Sequence, residues 1–227
     1  MSTLLCNPQG SDHERIMDMP LMESDQTRPT SWVATENEVE TYRQRAWQLV
    51  GQRILEVRYY EIDYFRWDLH PELVDAGPRI ISDRSEWENP TWRCPGFASI
   101  DYGIEIATED SLVFSLAWDS PGKHEGISLE PVPMLGRGVS ANADVAIWNV
   151  IHMPPWTYLG TMPIAAVDLC YRPCGEEAGF WCPRITLRTR EVNVEIILAD
   201  HNGELLVPSA DNIAILHPET PLPDWAL

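Results

Sequence analysis

One run of this chain, ENEVETYRQRAWQLV at 36–50, reads as a helix, while the other apolar runs are short, β-branched or aromatic, and closed by turn residues. That imbalance predicts a mainly β protein of the α+β kind with a helix leading into it. The helix carries its own start and stop signals. Thr35 stands three residues before Glu38 as a capping box, acids crowd the first turn, and Gly51 ends the run.

The strand signal is strongest at 53–64, RILEVRYYEIDY, where strict alternation puts Ile54, Glu56, Arg58 and Tyr60 on one face and Leu55, Val57, Tyr59 and Glu61 on the other. Runs at 102–108 and 111–118 predict a hairpin turning through Glu109 and Asp110. The stretch between, 68–97, is rich in Pro, Asp and Trp and reads as a long loop or insertion. The second half echoes the first. Trp156-Thr-Tyr-Leu159-Gly160 answers Trp47-Gln-Leu49-Val-Gly51, Val194-Glu195-Ile196 answers Ile104-Glu105-Ile106, and a turn at 200–203 answers the one at 109–110. From Gly51 to Glu105 is 54 residues and from Gly160 to Glu195 is 35, so the first copy holds 19 more, which fall in the Trp- and Pro-rich insertion. The echo predicts two degenerate units, 36–138 and 139–227, each a curved antiparallel sheet or partial barrel, behind a flexible acidic leader at 1–35.

Charge narrows the partner class. Thirty-five acidic residues against 16 basic ones give a net charge of -19, which opposes direct binding to nucleic acid or an anionic membrane and favours a basic protein partner. The basic residues are nearly all Arg, Lys123 being the lone lysine, a skew that fits GC-rich coding. Five cysteines, Cys6, Cys94, Cys170, Cys174 and Cys182, with no secretory signal at the start and no apolar run of membrane-spanning length, predict free thiols in a reducing cytoplasm.

Motifs for nucleotide binding, zinc proteolysis and serine hydrolysis do not occur, and no cofactor is expected. Cys170, Cys174 and Cys182, with His152 or His201, have the chemistry of a zinc set but not the tight paired spacing of a zinc knuckle; a buried structural thiol is the alternative for Cys170. Glu61 and Asp63 share one strand face and offer a carboxylate pair for metal or acid/base work, against the plain alternative of a solvated face. Around them Tyr60, Tyr64 and Trp67 interleave aromatics with acids, a composition suited to an interface. Trp87 and Trp92 in the insertion serve either as a binding tip or as the plug of a β-barrel end. His124 and Glu125 sit at a Gly-flanked polar tip, Gly122 to Gly126, and complete the candidate binding residues.

The Trp-x-x-Leu-Gly and Trp-x-Leu-x-Gly entries, the strand after each, and the late Asp200-x-x-Gly203-Glu204-Leu205 hairpin resemble small β-rich bacterial proteins of the polymorphic-toxin immunity type. The resemblance implies a non-enzymatic protein-binding module that neutralises a basic partner. Two alternatives stand beside it: an acidic mimic of nucleic acid that occupies a DNA-binding protein, and an enzyme working through Glu61 and Asp63 or the Cys170 cluster.

Overall fold

A computed structural model describes residues 31–69, 77–119, 125–137, 139–175 and 178–227. The N-terminal helix α1 (Glu36–Ala46) forms where the sequence predicts, and both halves of its capping box are made. Thr35 Oγ1 accepts from the Glu38 N–H, and the Glu38 carboxylate accepts in return from the N–H groups of Thr35 and Ala34. A single 3-10 turn, Trp47–Leu49, carries the chain to Gly51, whose φ of +88° a side chain would strain.

Two six-stranded sheets follow. The first runs β3 (Arg79–Ile80), β9 (Val145–Asn149), β2 (Ile54–Ile62), β6 (Gly103–Thr108), β7 (Val113–Asp119), β8 (Gly126–Glu130). The second runs β10 (Ala166–Leu169), β13 (Arg184–Arg188), β14 (Asn193–Asn202), β15 (Leu205–Leu216), β5 (Phe97–Ile100), β4 (Arg93–Cys94). A small third sheet joins β1 (Trp32–Val33), β12 (Phe180–Trp181) and β11 (Arg172–Pro173). Pairing is antiparallel except between β3 and β9. The protein is therefore mainly β with an N-terminal helix, as the run lengths imply. The predicted hairpin is present as β6 and β7, with Ser111 at φ 62° in its turn.

Neither sheet is confined to one half of the chain. β5, early in sequence, pairs with β15 at the edge of the second sheet, while β9, past residue 138, pairs with β2 in the first. The echo also carries an extra strand: β2 and β6 are hydrogen-bonded neighbours, whereas β13 separates β10 from β14. The two entry tryptophans differ as well. Trp156 is fully buried at the start of α4 (Trp156–Leu159) and donates to Tyr59 Oη at 2.6 Å, while Trp47 is exposed.

Alternation explains three apolar layers. Tyr59, Ile196, Leu198, Ile213 and Ile215 face the main core between the two large sheets. Their neighbours Ile197, Ala199, Ala214 and Leu216 face outward onto a second cluster closed by Leu222 and Ala226 of the C-terminal tail. Tyr60, Ala117 and Ile147, on the outer face of the first sheet, pack against Met134 and Val139. The strict alternation expected along β2 fails at its start. A bulge between Ile54 and Glu56 adds a residue there, so Leu55 turns to solvent and Ile54 joins Val57 and Tyr59 in the core.

The 68–97 insertion supplies α3 (Arg84–Glu88), β3 and β4, and its tryptophans act as a plug. Trp92 is 4% exposed and meets Tyr59, Trp87 and Trp148 edge-on at centroid distances of 5.1, 6.3 and 5.8 Å. Among the described residues no helix is long and apolar enough to cross a membrane.

Candidate functional site: an acidic cleft where the sheets meet

The chain passes from the second sheet to the first at one corner, Asp101-Tyr102, between β5 and β6. Gly103 makes the crossing possible: a Cβ there would stand 2.3 Å from the Leu116 carbonyl oxygen. Reciprocal hydrogen bonds fasten the corner to the end of β2. Asp101 N–H donates to Glu61 Oε1 and Ile62 N–H to Asp101 Oδ2, both at 3.3 Å, and Trp118 Nε1–H donates to the Asp101 carbonyl at 2.6 Å.

This corner opens onto a cleft of about 220 Å³ lined by Glu61, Tyr64, Thr91, Ser99, Asp101, His201 and Asn212. Glu61 follows Tyr59 by two residues on the face of β2 that meets the core, and it is 2% exposed. Asp200, near the end of β14, accepts from Ser99 Oγ at 3.0 Å and from Asn212 Nδ2 at 3.2 Å. The same Asn212 amide reaches Asp101 Oδ1 at 3.4 Å and Ser99 Oγ at 3.3 Å, tying β15 to β5 and to the corner. His201 Nδ1 lies 3.3 Å from the Gly203 carbonyl.

Charge sets Glu61 apart. Among the described residues four acids are almost completely buried as whole residues, Glu61, Asp63, Glu105 and Glu130. Asp63 pairs with Arg66 and Arg79, Glu105 with Arg58 at 2.8 Å, and Glu130 with Arg137 at 3.7 Å. Glu61, by contrast, is flanked by acids, and among the described residues no ion pair joins Glu61, Asp101 or Asp200 to a basic side chain. Burial, then the Asp101 carboxyl beside it, pushes the Glu61 carboxyl well above the usual carboxylate range. Burial and then Asp101 likewise raise the Tyr64 phenol. The cleft is thus an acidic site whose basal carboxyl holds its proton more tightly than an ordinary carboxylic acid.

The expected solvated Glu61/Asp63 face is overturned, because β2 ends at Ile62 and the two carboxyls part. Asp63 caps α2 (Tyr64–Leu69), accepting from Arg66 N–H at 3.1 Å, and it takes Arg79 through two hydrogen bonds of 2.9 and 2.8 Å. Burial alone would raise the Asp63 carboxyl, but the Arg79 hydrogen bonds and then the Arg66 N–H hold it below its ordinary value. Asp63 is therefore a structural anchor.

Of the remaining candidates, Tyr64 lines the cleft, while Tyr60 and Trp92 are core residues and Trp87 is half-buried beside them. Glu125 is half-buried, with its Oε2 unpaired, and lies outside the cleft. His124 and the side chain of Trp67 lie outside the described residues. The zinc set is not assembled: no group of three or more His, Cys, Asp or Glu that could hold a metal occurs among the described residues. Cys94, Cys170, Cys174 and Cys182 are free thiols. Burial, and next the neighbouring Cys170, push the Cys182 thiol up to about 12.

Asp101, Asp200 and Asn212 were not legible as site residues in the sequence. The available signals were Asp101-Tyr102-Gly103, a turn directly after an apolar run, and Asp200 at the head of the late turn. Comparison with protein-family models, curated proteins and solved structures finds no match to this chain.

Proposed function

We propose that this chain is a non-enzymatic binding protein for a basic protein partner, of the kind that neutralises a toxin, and that it engages that partner through the acidic cleft. One observation carries the reading: Glu61 and Asp101 line an open cleft, Asp200 stands behind them on Ser99 and Asn212, and among the described residues no Arg or Lys pairs with any of the three, in a fold whose other deeply buried acids each face an Arg. A guanidinium or ammonium supplied by a partner completes that set, because a charge-assisted hydrogen bond is strongest where water is excluded. The net charge of -19 adds long-range steering toward a basic surface. The free thiols support placing the protein in the cytoplasm.

The test is recovery of partners from lysate on immobilised full-length chain, run beside the isosteric variant Glu61→Gln/Asp101→Asn/Asp200→Asn. The expected result is a basic protein held stoichiometrically at low salt, weakened at moderate salt, and lost in the variant. Equal recovery by the variant overturns the cleft as the contact.

A second reading has one observation in its favour. A buried carboxyl with a raised pKa beside an ionisable neighbour is the arrangement of an acid/base pair. Under it the cleft turns over a small polar substrate, and incubation with a metabolite extract yields a product that Glu61→Gln does not make. A basic protein captured stoichiometrically with no such product decides for the binder.

A further inference from the structure

We infer that the acidic cleft and the cavity beside it form one composite site for a segment of the basic partner that carries an arginine or lysine next to an apolar side chain. This rests on the binder reading above and adds the sequence chemistry of what is bound. The second cavity, about 180 Å³, shares Tyr64 and Thr91 with the cleft, so the two open on either side of one wall. Its character is different. Ile62, Phe65, Pro90, Ala146 and Trp148 give it an apolar lining, and its two acids, Asp63 and Glu86, are already held by Arg79 at 2.8 and 2.7 Å. A second cation has no free carboxylate to meet there, whereas an apolar side chain does find its match.

Two further observations point to an occupant. Tyr64 on the shared wall and Phe65 on the lining of the second cavity remain 40% and 42% exposed, an aromatic shelf. Trp148, which lines the second cavity, is 6% exposed, and its indole N–H has no hydrogen-bond partner. A buried donor left unpaired is costly, and an acceptor brought by a ligand relieves that cost. The main-chain carbonyl between a cationic residue and its apolar neighbour is such an acceptor. One segment thus places its cation between Glu61 and Asp101, its apolar side chain beside Phe65, and its carbonyl on Trp148 Nε1–H.

The experiment uses the full chain, ¹⁵N-labelled, titrated with three capped dipeptide amides: acetyl-Arg-Phe, acetyl-Arg-Gly and acetyl-Gln-Phe. The indole resonance of Trp148 is assigned by its loss in Trp148→Phe, which keeps an aromatic ring and removes the N–H. Acetyl-Arg-Phe is expected to bind about tenfold more tightly than either control and to move the Trp148 indole proton downfield. Trp148→Phe is expected to weaken that peptide several-fold; its smaller ring also loses packing against Trp87 and Trp92 and lowers the thermal midpoint, so the titration is run well below the variant's midpoint. Equal binding of Arg-Phe and Arg-Gly with an unmoved Trp148 signal overturns the composite site and leaves the cation cleft standing. Equal binding of Arg-Phe and Gln-Phe overturns both.

Discussion

Asp63 and Glu61 are two buried acids, two residues apart, whose replacement is expected to move stability in opposite directions. Removing the Asp63 carboxylate by Asp63→Ala leaves Arg66, 5% exposed, and Arg79 without a shared partner. Breaking a buried pair from one side costs about 3–5 kcal/mol. Arg66 keeps Asp144 at 2.7 Å and Arg79 keeps Glu86, so the expected loss is at the low end, about 3 kcal/mol. With a urea m-value of about 3 kcal/mol/M, the unfolding midpoint falls by about 1 M with its slope unchanged. The pH dependence follows from the lowered carboxyl: its contribution is present above the unfolded value near 3.8 and lost as pH falls through the folded one, so the difference between wild type and Asp63→Ala shrinks in acid. Glu61→Gln has the reverse sign. Its carboxyl is raised in the fold, so the native state binds the extra proton and stability declines as pH rises above the unfolded value near 4.5. Glu61→Gln escapes that decline and gains on wild type as pH rises above about 4.5. Urea titrations of the three proteins at pH 3, 5 and 7 measure both. A loss below about 1 kcal/mol for Asp63→Ala at pH 7, or destabilisation by Glu61→Gln there, refutes the division of roles.

Other parts of the fold give independent outcomes. Trp92→Ala empties the plug between Tyr59, Trp87 and Trp148 and is expected to cost about 3–5 kcal/mol, seen by urea unfolding and as a large change in near-ultraviolet circular dichroism. Asp119, held by burial at about 6 although Ser31 Oγ–H donates to it, loses the fold about 2 kcal/mol as pH rises from about 4 to 6, and Asp119→Asn removes that slope from the thermal midpoint. With its thiol pushed to about 12 and only 1% exposed, Cys182 is expected to stay unmodified by a thiol reagent at pH 8 until the protein unfolds, while half-buried Cys170 reacts in the native state.

Local signals carried the elements, and long-range pairing decided the site. Thr35 with Glu38 marks the helix start, and Glu109-Asp110 marks a hairpin, because each is settled by neighbours a few residues away. Alternation along β2 was legible except at Leu55, where the bulge depends on β6 and has no local signature. Glu61 was identifiable as a candidate, but its partners come from residues 40 and more positions away. Nothing in the alternation of the second half indicates that β5 pairs with β15 and brings Ser99 and Asp101 to Asp200 and Asn212. Asp63 misled for a related reason: the residues that neutralise it, Arg66 and Arg79, lie beyond the strand end, so face-sharing within β2 did not govern where its carboxyl went.

The most direct measurement is calorimetric titration of acetyl-arginine amide into the full-length chain at low salt, in two buffers of different ionisation enthalpy. If the cleft takes a cation, one site saturates with net proton release, because a bound cation lowers the raised Glu61 carboxyl, and the site is lost in Glu61→Gln/Asp101→Asn/Asp200→Asn. Absence of saturable binding, or binding that the triple variant retains unchanged, contradicts it.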